Sequence, residues 1–131
     1  MTLLKLARKT LVTTQRYLSS TVHHLITEED VNKYAQLTGD FNPIHTQNDS
    51  KIVHGTYLLG LVSAVMGTKC PGPGTIVISL TSNFVKACPV GTEVAVQVEL
   101  KEKRKISTAE FKVTDKSTKD LLVHGTAKVK C

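Results

Sequence analysis

The segment from Asp40 to His45 concentrates side chains that can transfer protons. Residues 40–45 read D-F-N-P-I-H, and residues 52–55 read I-V-H-G. A carboxylate and an imidazole on one proline-stiffened loop can divide proton transfers between them, because an imidazole gains and loses a proton near neutral pH. The pattern predicts an acid/base pair. Spacing alone also fits a structural role, since an Asp after a glycine often caps a turn and a loop His is often only solvated.

Gly55 opens an apolar stretch, and its position predicts a place for negative charge. Residues 55–67 are apolar almost all round and bounded by glycines, which predicts a helix buried on most sides. The unpaired N–H groups and the positive dipole end of such a helix can bind a developing oxyanion, and a glycine lets a substrate approach the backbone closely. An acid/base pair beside it suits removal of a proton next to a carbonyl group.

A second helix is predicted before the loop. Thr27 followed by Asp30 resembles a capping box with Asp in place of Glu, and Gly39 is suited to end the helix. Four residues on one face of this segment can pack against another element, so the helix is expected to lie on a larger surface. The residues of that face are Val31, Tyr34, Ala35 and Thr38.

Residues 40–54 are predicted to form a loop, because turn-forming residues are dense there and Pro43 keeps Asn42 out of the helical conformation. A stiff P-G-P-G turn at 71–74 then precedes segments rich in Val, Ile, Thr and Phe. Apolar and polar residues alternate most regularly from Val94 to Leu100. The predicted strands are 21–26, 75–87, 92–104, 107–115 and 121–130.

These elements predict an α+β fold in which an antiparallel sheet of about five strands encloses one long buried helix. The connections of roughly three to six residues imply that consecutive strands are antiparallel neighbours. A helix that is only half wrapped needs a second copy to cover it. We therefore expect a homodimer with the two sheets joined edge to edge.

Length and composition allow one ordinary domain with an appendage. The chain has 131 residues, of which 40% are hydrophobic and 21% are charged. No apolar run approaches the ~20 residues that cross a bilayer, so no membrane span is predicted. The formal net charge is +6, and four Lys or Arg residues of the first twenty account for most of it.

The first twenty residues resemble a targeting segment. They contain no acid, and on a helix most of their positive charges fall opposite a leucine-rich face. A basic amphipathic segment with Ser and Thr is typical of a mitochondrial transit peptide. The sequence therefore predicts a transit peptide at 1–20, a domain at 21–131 and a location in the mitochondrial matrix. The alternative is a surface helix or a basic arm that binds RNA or membrane.

The cysteines and histidines do not predict a metal site or a disulfide. Cys70, Cys88 and Cys131 are widely spaced and form no C-x-x-C pair, which is typical of a reducing compartment. The five histidines lack the i, i+4 spacing and the carboxylate company of a metal cluster. No metal is therefore expected.

Four blocks together resemble the MaoC-type hydratase/dehydratase family, whose members have the hot-dog fold. The likeness runs from about residue 22 to the end in the family's order, and it is greatest for the mitochondrial 3-hydroxyacyl-thioester dehydratases of type 2. The joint match is more specific than any single block. The blocks are Y-A-Q-L-T-G-D-F-N-P-I-H, I-V-H-G, G-T-K-C-P-G-P-G-T and N-F-V-K-A-C-P-V-G-T-E-V.

The resemblance implies both a reaction and its main residues. Asp40 and His45 match the carboxylate and imidazole that handle the water and the α-carbon proton in the reversible dehydration of an (R)-3-hydroxyacyl thioester. Gly55 matches the residue whose N–H holds the thioester oxygen. The implied function is conversion of 3-hydroxyacyl-acyl carrier protein to the trans-2-enoyl thioester in mitochondrial type II fatty acid synthesis. No cofactor is implied beyond the pantetheine-linked substrate.

The resemblance also implies supporting residues and one departure from the family. Ser63 matches a serine that supports the site, Asn42 and Pro43 match loop-shaping residues, and His54 matches a loop anchor. Between the two histidines the family usually has a longer segment, with a short helix that lines the acyl pocket. The shorter segment here, residues 46–53, leaves the acid/base pair in place and is expected to alter acyl-chain selectivity and the shape of the pocket.

Three other functions remain open at this point. An (R)-specific enoyl-CoA hydratase of fatty acid oxidation would use the same residues, and a thioesterase can occupy the same fold. A non-catalytic, RNA-associated module would use the basic leader and the positively charged hairpin tip from Lys101 to Lys105. Few aromatic residues accompany those charges, so nucleic-acid binding is not expected.

Overall fold

Alternating apolar and polar residues build the sheet of the molecule. The structure is a computed structural model that describes residues 18–47 and 49–131. Val94, Val96 and Val98 are all buried, as their alternation predicts. The elements, numbered along the chain, are β1 (Ser19–Leu25), α1 (Glu28–Thr38), α2 (Pro43–Thr46), α3 (Gly55–Thr68), β2 (Ile76–Phe84), β3 (Glu93–Glu102), β4 (Ser107–Asp115) and β5 (Leu121–Lys130).

The five strands form one antiparallel sheet in the order β1-β3-β4-β5-β2. β3, β4 and β5 follow one another through short turns and are neighbours, as predicted. β2 and β3 are consecutive but are not neighbours, because the longer connection between them carries the chain from one side of the sheet to the other. The edge strands are therefore β1 and β2. The predicted α+β hot-dog arrangement is confirmed.

The long helix α3 packs against the sheet with one face only. Leu58, Val62 and Met66 are buried and contribute to the core together with the inward residues of the strands. The prediction that this helix is buried on most sides is wrong, because the sheet of a single chain covers only one side of it. The exposed positions of α3 are Thr56, Gly60, Ser63, Ala64 and Thr68.

The helix α1 has the capping box that the sequence predicts. The Thr27 hydroxyl accepts a hydrogen bond from the Asp30 N–H at 3.1 Å, and the Thr27 N–H donates to the Asp30 carboxylate at 3.1 Å. Gly39 ends the helix with φ 80°, and its N–H donates to the Ala35 carbonyl at 2.8 Å. These contacts fix where the chain leaves α1 and enters the Asp40 segment.

Two strands are shorter than predicted. β2 spans Ile76–Phe84 instead of 75–87, because the N–H groups of Val85 and Lys86 both reach the Leu122 carbonyl and the regular ladder ends there. β3 covers 93–102 instead of 92–104. Lys103, Arg104 and Lys105 therefore lie in the turn of the following hairpin, whereas Lys101 still belongs to β3.

The first strand begins slightly before its predicted start. β1 begins at Ser19 rather than at residue 21, and the Leu18 carbonyl accepts a hydrogen bond from the Leu100 N–H at 2.7 Å. Residues 1–17, which make up most of the predicted transit peptide, lie outside the described residues. Among the described helices, none has the length and apolar character needed to span a membrane.

Candidate active site

The predicted loop at 40–54 contains one helical turn, α2. The Asn42 side chain caps it by accepting a hydrogen bond from the Ile44 N–H at 3.3 Å. Pro43 occupies the first helical position, where its fixed φ suits a helix and no N–H is needed. Pro43 thus keeps Asn42 non-helical, as expected, but itself starts a helix. The prediction of an irregular loop is wrong here, and the turn places His45 in a buried position.

His45 is held in one tautomer by the backbone. Its Nδ1 lies 2.7 Å from the Ile52 carbonyl oxygen, and its side chain is buried with the residue only 8% exposed. A carbonyl can only accept, so Nδ1 donates and Nε2 keeps its lone pair in the neutral ring. The Ile52 N–H in turn donates to the Ile44 carbonyl at 2.9 Å. His45 can therefore accept a proton at Nε2.

His54 lies directly against His45 and the Asp40 backbone. The two imidazole rings stack with their centroids 3.8 Å apart and their planes at 24°. The Nε2–H of His54 donates to the Asp40 carbonyl at 3.1 Å, and the residue is 1% exposed. Its Nδ1 is buried and has no hydrogen-bond partner among the described residues. His54 thus joins the start of α3 to the segment that carries the carboxylate.

Asp40 presents its carboxylate beside this histidine pair. One carboxylate oxygen accepts a hydrogen bond from the Asn42 N–H at 3.2 Å, which closes a local turn. The other lies 4.0 Å from the Nε2 of His54, and the side chain is 49% exposed. A carboxylate oxygen of Asp40 and one ring nitrogen each of His45 and His54 all lie within 4.8 Å of one another. The structure thus brings the predicted carboxylate and imidazole together.

The same three residues have donor types that could bind a metal ion. The prediction that the histidines lack a nearby carboxylate is wrong for His45 and His54. The fold brings Asp40 close to both, although the spacing of these residues in the sequence is not that of a known metal motif. Imidazole binds a metal in the plane of its ring, however, and two stacked rings cannot both direct an in-plane nitrogen at one ion. The geometry suits proton transfer better than metal binding.

Gly55 begins α3 next to these groups. No side chain of the described residues caps this helix, and no acceptor among them takes the Gly55 N–H. The first turn of α3 also contains no acidic residue. The positive end of the helix dipole is therefore available to a group with negative charge. The ring of Phe84, at the end of β2, lies against the Cα of Gly55.

Tyr34 connects α1 with the start of α3. Its hydroxyl donates to the Thr56 hydroxyl at 2.7 Å, and its ring meets the His54 ring edge-on at 4.8 Å. It also packs edge-on against Tyr57 at 5.4 Å. Burial raises the pKa of Tyr57, with a smaller contribution from Asp30, so that this phenol stays protonated. A tyrosine on the predicted inward face of α1 was the signal that could have assigned Tyr34 to the site.

Ser63 does not join the site within this chain. It lies eight residues after Gly55, which is about 12 Å along the helix axis, and it is exposed. The supporting role implied for Ser63 by the family resemblance therefore has no contact in the single chain. The residues that do contact the site without having been predicted are Tyr34, Phe84 and Ile52.

Two cavities in the described part of the chain lie away from the acid/base groups. One of about 560 Å³ opens on the outer face of the sheet, beside Lys112 and His124. The other, of about 470 Å³, lies between residues 49–52 and Pro89. The Asp40 side chain, which is 49% exposed, lies at the surface of the single chain.

Comparison with known proteins establishes the family. The family model described as a MaoC like domain matches residues 9–121, and the chain belongs to this family. Over 85 residues the chain is 45% identical to a 3-hydroxybutyryl-CoA dehydratase of Methylorubrum extorquens, which covers 59% of this chain and 54% of that protein. Over 88 residues it is 33% identical to an (R)-specific enoyl-CoA hydratase of Rhodospirillum rubrum, which covers 61% of each.

A solved structure shows the same fold. The (R)-hydratase from A. caviae involved in PHA biosynthesis superimposes with a TM-score of 0.79 at 29% identity, covering 86% of this chain and 92% of that chain. The chain spans little more than half the length of the curated relatives named above.

Proposed function

We propose that this chain catalyses the reversible hydration of trans-2-enoyl thioesters to (R)-3-hydroxyacyl thioesters. The observation that carries the proposal is the meeting of a carboxylate, Asp40, and a buried imidazole, His45, beside the uncapped start of α3. The names of the two curated relatives and the (R)-hydratase structure support this reaction class. The activity is that of a hydro-lyase.

The acid/base pair needs one shared proton to run the reaction. In dehydration, the ionised Asp40 carboxylate removes the proton from the α-carbon, and protonated His45 delivers its Nε2 proton to the departing hydroxyl. In hydration, neutral His45 takes a proton from water at Nε2, and protonated Asp40 donates its proton to the α-carbon. The bond from Nδ1 to the Ile52 carbonyl leaves Nε2 free for this work in either direction.

The start of α3 would stabilise the enolate between these two steps. Breaking the C–H bond next to the thioester moves negative charge onto the carbonyl oxygen. The free N–H of Gly55, reinforced by the helix dipole, is suited to receive that oxygen. His54 keeps Asp40 and His45 beside this N–H through its hydrogen bond and its stacked ring.

The decisive experiment follows the enoyl absorbance of crotonyl-CoA with purified protein. His45→Ala and Asp40→Asn are each expected to lower kcat/KM by about 10²- to 10⁴-fold. The matched controls are His124→Ala, an exposed histidine on the sheet, and Asp49→Asn, an exposed acid of the same segment; both should retain activity. Undiminished activity in both site variants would refute the assigned roles.

The finer proposal is a dehydratase that serves mitochondrial type II fatty acid synthesis, with acyl carrier protein holding the substrate. The basic, acid-free first twenty residues support a matrix location. The CoA esters in the names of the curated relatives favour the second candidate, an (R)-specific enoyl-CoA hydratase of fatty acid oxidation. Competition between crotonyl-CoA and crotonyl-acyl carrier protein separates the two. Release of free thiol without an enoyl or hydroxyacyl product would instead indicate a thioesterase.

We also propose that the working form is a homodimer joined through the edge strand β2. Its supports are the exposed Ile76 and Ile78 on that strand and the uncovered small residues of α3. A Cβ added at Gly60 meets no atom within 4 Å in the single chain. Gly60→Leu should therefore weaken a dimer that covers this face while leaving the fold intact, as sedimentation equilibrium and circular dichroism can measure. A monomeric wild-type protein would contradict the dimer.

A further inference from the structure

Phe84 occupies the space beside the glycine that begins α3. A Cβ atom placed on Gly55 would lie 2.6, 2.9 and 3.1 Å from three carbons of the Phe84 ring. The first two distances are shorter than real Cβ contacts, so the ring fills the volume that any side chain at 55 would need. Gly55 has no positive φ. This contact, and not the backbone conformation, therefore disfavours a side chain at position 55.

The position of this ring is set by the sheet. Phe84 is the last residue of β2 and pairs with Val123 of β5. The next N–H, of Val85, donates to the Leu122 carbonyl at 2.8 Å. The backbone of Phe84 is thus fixed on both sides, and its ring reaches α3 from a strand and not from a flexible loop.

Phe84 nevertheless remains 55% exposed. Large apolar residues also stand next to each member of the acid/base pair, since Phe41 follows Asp40 and Ile44 precedes His45, with exposures of 55% and 39%. Apolar surface thus lies both on the segment that carries the acid/base pair and at the end of β2, where the Phe84 ring packs against Gly55. An exposed aromatic ring in contact with a reactive site is suited to an apolar group of the substrate.

The occupant that fits this position is the acyl part of a thioester. If the carbonyl oxygen is bound by the Gly55 N–H, the carbons next to that carbonyl lie close to the backbone of Gly55, against which the Phe84 ring packs. These carbons are apolar, and burying them against an aromatic ring is favourable. The contact concerns carbons that every acyl thioester has, whatever its length.

We propose that Phe84 is a substrate-binding residue whose ring packs against the acyl carbons next to the thioester carbonyl. This inference rests on the proposed function and adds a substrate contact to it. Truncation of Phe84 should raise KM more than it lowers kcat. The effect should already be complete with a four-carbon substrate, because the ring contacts the carbonyl end of the chain.

The test compares Phe84→Ala and Phe84→Leu with Val85→Ala, a neighbouring residue of the same 55% exposure. For crotonyl-CoA, kcat/KM should fall about 10- to 100-fold in Phe84→Ala. Phe84→Leu should retain most of the wild-type kcat/KM. Val85→Ala should match the wild type. A trans-2-octenoyl thioester should show the same fold loss as the crotonyl thioester.

A second measurement separates this inference from the proposed function. Butyryl-CoA has no double bond to hydrate, so calorimetry of its binding reports the contact without catalysis, and Phe84→Ala should bind it about 10- to 100-fold more weakly. Equal binding and equal kcat/KM in Phe84→Ala and wild type would overturn the proposal while leaving the hydratase activity intact. Phe84→Ala could also lose kcat/KM and butyryl-CoA affinity because it dissociates to monomers in sedimentation. If both values recovered at high protein concentration, the proposed substrate contact would be overturned in favour of a dimer contact.

Discussion

The starts of α1 and α3 are built in opposite ways. α1 begins with a complete capping box, in which Thr27 and Asp30 satisfy each other's backbone N–H groups. α3 begins after His54, which has a comparable non-helical backbone but whose Nε2–H is turned to the Asp40 carbonyl. Within the described residues, no side chain caps α3. One helix start is capped by its own sequence, whereas at the other the Gly55 N–H has no acceptor among the described residues.

The charges near the two starts differ in the same sense. The first turn of α1 contains three acidic residues, whereas the first turn of α3 contains none. Acids in the first turn compensate the positive end of a helix dipole. The field at α1 is thus neutralised within the element, while the field at Gly55 remains available. This difference separates a helix start that serves stability from one that is suited to bind an oxyanion.

Among changes at the two helix starts, the largest effect is expected at the uncapped start of α3. In Gly55→Ala, the new methyl group meets the Phe84 ring and must displace either the ring or the helix start. Displacement of a reacting group by about 1 Å lowers rates by about 100-fold, so kcat/KM for crotonyl-CoA should fall by that order. Overpacking should also lower the free energy of unfolding by about 1–3 kcal/mol in urea titrations.

The control for this change is the double variant Gly55→Ala/Phe84→Ala. Removing the ring relieves the clash, so the two substitutions should show a coupling of about 1 kcal/mol or more in a double-mutant cycle. Additive losses of stability would contradict a direct contact between the two residues.

A smaller effect is expected at the capped start of α1. Thr27→Ala removes the hydroxyl that accepts from the Asp30 N–H, and the free energy of unfolding should fall by about 1 kcal/mol. Thr27 lies at the start of α1, at the end of the helix opposite to the Gly39–Asp40 junction, so hydration of crotonyl-CoA per folded molecule should be unchanged. If Thr27→Ala lowered kcat while its stability stayed at the wild-type value, the distinction between the two helix starts would be lost.

The smallest effect is a pH dependence at the same cap. Hydrogen bonding by the Thr27 backbone N–H is the main cause that lowers the pKa of Asp30 from its ordinary value of 3.8. Because the folded pKa is below the unfolded one, the carboxylate stabilises the fold above the ordinary value, and this stabilisation is lost as the pH falls through the folded pKa. The stability advantage of the wild type over Asp30→Asn, measured by urea unfolding, should therefore shrink below about pH 4. A constant difference down to lower pH would show that the ionised carboxylate is not involved.

Local signals made much of the fold predictable. The alternation from Val94 to Leu100 and the Thr27 capping box are each contained in a few consecutive residues, and the structure shows both. The turn α2 was not predicted because Pro43 has two effects. It keeps the preceding residue out of the helical conformation, and it can itself begin a helix. Only the first was used in the prediction.

The contacts of the site were less predictable because they join distant segments. Phe84 reaches Gly55 only after the chain has passed through α3 and β2, and no spacing rule links the two positions. The exposed side of α3, including Ser63, results from how far one sheet can curl around a helix. The hydrogen-bond partner of His45 could not be predicted for another reason. It is a backbone carbonyl, and every residue type has one.

That partner ties the imidazole to chain geometry instead of side-chain chemistry. Since the carbonyl of Ile52 selects the tautomer of His45, replacing the Ile52 side chain leaves the selecting group in place. Lengthening or trimming segment 46–51 would instead move that oxygen and release the ring. Natural drift and protein engineering can therefore change the residue types of this segment more freely than its length.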